Sequence, residues 1–187
     1  MMFTIFISFI MLQRLVELVI AKRNEKWMIN HGGIEVGQAH YRLMVSIHVL
    51  FFLVLMLEVN LLRRETSPIW PLLLTMFIAT QIGRIWVIKS LGKYWNTKII
   101  ILPEGKVVKN GPYRFLKHPN YVIVTLELII IPLMFQAFAT AVLFTILNIF
   151  ILSIRIPAEE KALLDLTEYG EAFHQQKRFI PTISKKV

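Results

Sequence analysis

Between Lys117 and Arg155 the chain carries no Lys or Arg, and Glu127 is the only acid. One straight helix through these 37 residues would reach roughly 55 Å. The hydrocarbon core of a bilayer is only ~30 Å thick. Pro132 lies near the middle and is followed by Phe135-Gln136. The stretch is therefore expected to fold back as a helical hairpin with two legs of about 17 residues. That fold brings its polar ends together. One is the run Gly111-Pro-Tyr-Arg-Phe-Leu-Lys-His-Pro-Asn-Tyr121; the other is Arg155-Ile-Pro-Ala-Glu159-Glu160.

Three further apolar runs precede the hairpin: about 1–21, 41–62 and 69–90. With 56% hydrophobic residues in 187, the chain exceeds the apolar content of an ordinary soluble domain. Five spans in one domain are expected, three in residues 1–90 and the hairpin within 91–187, giving an all-α integral membrane protein. The first run lacks the basic flank and small-residue cleavage site of a signal peptide. Cysteine is absent, which excludes disulfides and thiolate metal sites, and no metal is expected.

The net charge of +9 comes from 21 basic and 12 acidic residues. No nucleic-acid-binding motif accompanies it, so no nucleic-acid partner is expected. The cations gather in 22–40, in 91–118 and after Arg155, whereas the turn after the second run holds Arg63 and Arg64 offset by Glu65. The positive-inside rule then places the N-terminus outside and the C-terminus in the cytoplasm. Gly32, Gly33 and Gly37 break any helix in the first polar connection. In the second, Ile99–Leu102 and Val107-Val108 flank Pro103-Glu104-Gly105, which suggests a strand-turn-strand cover over a site. A connection of that length is expected to carry function. The tail after Ala158 reads as an amphipathic helix followed by Phe179-Ile180-Pro181 and a basic end.

Polar residues inside the spans invite modest readings. Arg14 and Glu17 share a helix face and neutralise each other. His48 reads as a satisfied packing residue or as a catalyst. Arg84 faces a polar cavity or snorkels outward. His40 is left without a role. At the hairpin mouth, Arg155 and Glu159 are four apart and sit one above the other if the helix continues, with Pro157 disturbing that turn. One cation and one or two anions beside a histidine-containing loop suit a ligand carrying both charges. They also suit a salt-bridge collar without chemistry.

Residue identity adds to spacing. Gly111-Pro112-Tyr113, His118-Pro119-Asn120-Tyr121, Arg155, Glu159-Glu160 with Leu163, Tyr169-Gly170 and Arg178-Phe-Ile-Pro181 resemble the isoprenylcysteine carboxyl methyltransferase family over about residues 92 to 181. His-Pro-x-Tyr alone is less specific, because membrane sterol reductases look similar there. The resemblance implies an integral-membrane enzyme of a bacterial cell membrane, using S-adenosyl-L-methionine at a cytoplasmic site. It further implies a cofactor side made of Lys106, Val107, Val108, Tyr113, His118, Pro119, Asn120, Tyr121 and Glu159. Arg155 would face the substrate, and Glu160 would matter less if it pointed to solvent. No Rossmann domain is implied, and the chain has no Gly-x-Gly-x-x-Gly. Two positions depart from the family pattern. Lys117 stands where Arg is frequent, and Ile123 stands where Gly is common.

A sulfonium methyl needs an in-line oxygen nucleophile. A carboxylate or acidic hydroxyl is ionised near neutral pH and requires no strong base. The expected partners are the bilayer and a lipophilic small-molecule acceptor, either an alkylpyrone-like hydroxyl or an isoprenylcysteine-like carboxylate. Other classes to be distinguished are an NADPH-dependent membrane reductase and a non-enzymatic scaffold.

Overall fold

The structure is a computed structural model and describes residues 1–173, 178 and 179. Helices carry the fold: α1 (Met2–Asn30), α2 (Gln38–Leu61), α3 (Trp70–Leu91), α4 (Pro119–Met134), α5 (Phe138–Leu166) and the short α6 (Tyr169–Phe173). Strands β1 (Ile34–Val36) and β2 (Ile99–Ile101) form one small antiparallel pair, with Glu35 opposite Ile100. Helices α1, α2, α3 and α5 are long and apolar enough to cross a membrane, and α4 is a shorter apolar helix. Exposed Leu, Ile, Val and Phe cover their outward faces, as lipid contact requires. The chain is an all-α integral membrane protein.

Proline and capping chemistry set the hairpin. Pro119 sits at the first turn of α4, where its fixed φ and missing N–H cost nothing. After Pro132 the helix stops. The Pro132 carbonyl accepts from Phe135 and Ala137 N–H, both at 3.0 Å, and Gln136 takes a left-handed φ of 52°. The next helix begins at once, capped from another helix. Glu58 Oε2 accepts the Thr140 N–H at 2.8 Å and its hydroxyl at 2.7 Å. The turn between α2 and α3 lies on the same tip, through Ser67 N–H to the Met134 carbonyl at 2.9 Å. The Phe3 ring meets Phe135 at 4.9 Å. The start of α1, the α2–α3 turn and the hairpin tip thus share one end. The β pair and the long polar connection occupy the other.

The hairpin legs are unequal, contrary to the expectation of two similar ones. The 16 residues of α4 reach only ~24 Å. The 29 of α5 run unbroken past Arg155 and Pro157 to Leu166, so no separate tail helix starts at Ala158. Helix α1 likewise continues through Lys22–Asn30, because Arg23, Glu25, Lys26 and Met28 favour helix. It stops before Gly32, which has φ 87°. The expected strand-turn-strand is also corrected. Ile99–Ile101 pairs with Ile34–Val36 rather than with Val107-Val108. The expected Phe179-Ile180-Pro181 segment and basic end fall almost wholly outside the described residues.

Candidate active site at the mouth of the hairpin

The hairpin brings its two polar ends together. His118 is the residue immediately before α4, buried at 5% exposure, and its Nε2 donates to Glu160 Oε1 at 3.0 Å. Three residues on, the Tyr121 hydroxyl donates to Glu159 Oε2 at 2.5 Å. It accepts from Arg155 Nε at 2.9 Å. Arg155 Nη2 donates to the Thr97 carbonyl at 2.5 Å. Helix α5 continues through Pro157, so Arg155 and Glu159 do share one face a turn apart, and Tyr121 joins them. Glu160 does not point freely to solvent: it accepts from His118 and, at 2.5 Å, from Arg178 Nη2.

Gly111 opens the loop before this cluster at φ 58°, and a Cβ there would lie 2.1 Å from Ser90 Oγ. Only glycine satisfies both the sign of φ and that approach. It lets Pro112 and Tyr113 turn inward, where both are buried. Burial, then the Glu159 carboxylate, raises the Tyr113 phenol well above its ordinary range. Burial, then Glu160, does the same for Tyr169. Both phenols stay protonated and can donate. Across the β pair, Lys98 Nζ bridges Glu25 at 2.7 Å and Glu35 at 3.1 Å. Those bonds raise its pKa.

A cavity of about 170 Å³ lies under the loop. Of the residues expected at the site, Lys106, Val107, Val108, Tyr113, His118, Asn120, Tyr121, Arg155 and Glu159 all line it. Pro119 does not; it is buried in the first turn of α4. Lys98, Lys117 and Glu159 give the cavity both signs of charge. Four buried polar atoms on its wall, Trp95 Nε1, Asn120 Oδ1, Arg155 Nη1 and Tyr169 Oη, have no partner among the described residues. Buried polar atoms are rarely left unpaired, so these four have bonding capacity left for water or a polar guest. Trp95, Asn96 and Thr97 were not foreseen as site residues, although an aromatic and two polar residues just after an apolar run are a visible signal.

A second cavity, of about 280 Å³, lies inside the bundle between α1, α2, α4 and α5. Its wall is mostly apolar. Trp95, Asn96, Asn120, Tyr121 and Arg155 line both cavities, so the two meet at the hairpin mouth. Leu18 of α1 and Val45 and Val49 of α2 line it while being 48%, 40% and 54% exposed. The cavity thus reaches the lipid-facing surface. Arg84 does not snorkel. It is 3% exposed and donates to Glu127 Oε1 at 3.1 Å and Glu17 Oε2 at 3.2 Å. Arg14 also binds Glu17 and Glu127. The expected pair is therefore half of a neutral four-charge network joining α1, α3 and α4.

Residues 73–165 match the isoprenylcysteine carboxyl methyltransferase family. An uncharacterized protein of Bacillus subtilis (strain 168), YpbQ, is 44% identical over 162 residues, covering 87% of this chain and 96% of that protein. An uncharacterized protein of Haemophilus influenzae is 34% identical over 157 residues, covering 82% of this chain and 90% of its own length. The chain belongs to the isoprenylcysteine carboxyl methyltransferase family. Membership carries with it a membrane methyltransferase-type function, housed here in a helical bundle without a Rossmann fold. The two departures from the family pattern have local accommodations. Lys117 Nζ lies 5.7 Å from the Tyr169 ring centroid. The Ile123 side chain fills the space over Gly83 of α3, where a Cβ would meet it at 3.3 Å.

Proposed function

We propose that this protein is an S-adenosyl-L-methionine-dependent O-methyltransferase acting on a lipophilic acceptor with an acidic oxygen. The acceptor is an alkylpyrone-like hydroxyl or an isoprenylcysteine-like carboxylate. The observation that carries this reading is the junction of a charged cavity under the loop with an apolar cavity in the bundle, both lined by Tyr121 and Arg155. A two-substrate transfer between a water-soluble donor and a lipid-soluble acceptor needs such a junction.

The first cavity fits the methyl donor. Glu159 would hold its ammonium, Lys106 or Lys117 its carboxylate, and the unpaired atoms of Asn120 and Tyr169 its remaining polar edges. Bound there, it supplies an electrophilic methyl on a sulfonium. Arg155 would receive the acceptor's anionic oxygen on Nη1, which has no protein partner among the described residues, while Nε and Nη2 are held by Tyr121 and Thr97. The guanidinium is thereby oriented before the acceptor arrives. Burial at 3% exposure removes water that would otherwise solvate the oxygen. Catalysis rests on orientation and desolvation rather than on a strong base. Positive-inside bias supports a cytoplasmic side for the first cavity, in a bacterial cell membrane. The acceptor reaches the second sideways from the bilayer, past Leu18, Val45 and Val49.

The decisive substitution is Arg155→Lys, assayed in membranes with labelled S-adenosylmethionine and a panel of farnesylcysteine-like and alkylpyrone-like acceptors. Lys keeps the charge but loses the fork. Turnover is expected to fall at least about tenfold, equivalent to ~1.4 kcal/mol, with S-adenosylhomocysteine binding nearly intact. Wild-type turnover in the variant would refute the acceptor role of Arg155.

A further inference from the structure

The second cavity has two polar levels. The upper one holds Arg155, Tyr121 and Tyr41, with the Arg155 guanidinium 6.0 Å from the Tyr41 ring centroid. Helices α2 and α5 run antiparallel and pack together. Tyr41 to His48 on α2 and Arg155 to Asn148 on α5 are both steps of seven residues, two turns or ~10 Å deeper. His48 and Asn148 therefore form a lower level. Both line the cavity, and apolar Met44, Val124, Ile151 and Leu152 line it as well.

The hydrogen-bonding sense of this lower level is fixed. His48 Nδ1 lies 2.8 Å from the Met44 carbonyl, which can only accept, so Nδ1 carries the proton. Nε2 of the neutral ring is then an acceptor. The Thr125 hydroxyl gives its proton to the Tyr121 carbonyl at 2.8 Å. Its oxygen must therefore accept from Asn148 Nδ2 at 2.9 Å, which assigns Oδ1 as the Asn148 oxygen left over. No protein donor meets His48 Nε2 or Asn148 Oδ1 among the described residues. The neighbouring Arg14, Glu17, Arg84 and Glu127 differ, because they consume one another's charges.

We infer that the acceptor carries a second polar group, a hydrogen-bond donor such as a hydroxyl or amide N–H, about 10 Å from the oxygen that is methylated. His48 and Asn148 receive it. This rests on reading the second cavity as the acceptor's. In a bilayer a lone hydroxyl has no partner, so two waiting acceptors select for it, and a purely hydrocarbon tail leaves them unmatched.

The test uses two 4-hydroxy-2-pyrone probes with the same alkyl chain, one bearing a hydroxyl ~10 Å along the chain from the enol oxygen. Their binding to the detergent-solubilised full chain is titrated with S-adenosylhomocysteine present. The wild type is expected to bind the hydroxylated probe about tenfold more tightly. That preference should shrink to about twofold or less in His48→Phe/Asn148→Leu and persist in His48→Gln, whose carbonyl still accepts. Parallel S-adenosylhomocysteine titration shows that each variant is folded. Equal binding of both probes by the wild type overturns the second contact while leaving the acceptor cavity standing. So does a preference that survives the double substitution. The same comparison is run with a pair of S-alkylcysteine carboxylates, with and without the hydroxyl, and binding of no probe of either class overturns the reading of the cavity itself, and this inference with it.

Discussion

His118 and Glu160 are the residues whose removal should be most informative, because each holds the other in place. With His118 bonded to Glu160 at 3.0 Å and Arg178 closing on the same carboxylate, either loss unfastens the loop from α5. His118→Ala or Glu160→Ala should each weaken S-adenosylhomocysteine about ten- to a hundredfold by titration. The double variant should be little worse than the weaker single, since the two act through one contact. Additive losses would mean that they act separately. The sequence showed His118, Tyr121, Arg155 and Glu159 as one polar group, because they stand out against an apolar background. It did not show that Tyr121 sits between Arg155 and Glu159, or that Glu160 serves His118. Pairings across 34 to 42 residues depend on rotation about two helix axes, which no local pattern encodes. Thr97 contributes through its carbonyl, which carries no side-chain signature at all.

Elements were easier to foresee than their ends. The apolar runs announced α2 to within three residues and α3 to within one, and a span too long for a bilayer announced the hairpin. The polar halves of α1 and α5 were hidden, because helix propensity rather than hydropathy carries them beyond the membrane. The short strand β1 was hidden too, since Ile34-Glu35-Val36 has too few residues to show a period. Glu58 is the least expected structural device: a side chain of α2 that caps α5 through Thr140 and accepts from Arg64 at 3.3 Å. Glu58→Ala leaves those N–H groups unmet at a buried helix start, a cost of about 1–3 kcal/mol. For a chain of this size that lowers Tm by roughly 2–10 °C. Differential scanning fluorimetry in detergent should show the drop, with S-adenosylhomocysteine affinity unchanged because the cap lies at the opposite end from the hairpin mouth. An unaltered Tm would deny Glu58 the capping role.

The whole molecule is arranged as two compartments that meet at one point along the membrane normal. From Phe138 at the tip, Arg155 lies seventeen residues into α5, a rise of ~26 Å. That rise is close to the thickness of a ~30 Å core, so on the proposed reading a soluble donor and a lipid-held acceptor would both reach the guanidinium at its margin. The charge bias predicts the orientation. Single cysteines at Thr66 and Gln136 should label from outside intact cells, and one at Lys109 only after permeabilisation. Equal labelling of Gln136 and Lys109 would refute the arrangement. The charged cavity beneath the loop is proposed to hold a methyl donor. Isothermal titration of the purified wild type and of Glu159→Gln, with S-adenosylhomocysteine and with NADPH, tests this. The expected result is one saturable S-adenosylhomocysteine site, weakened about ten- to a hundredfold by Glu159→Gln, and no heat with NADPH. Saturable NADPH binding without S-adenosylhomocysteine binding would contradict it.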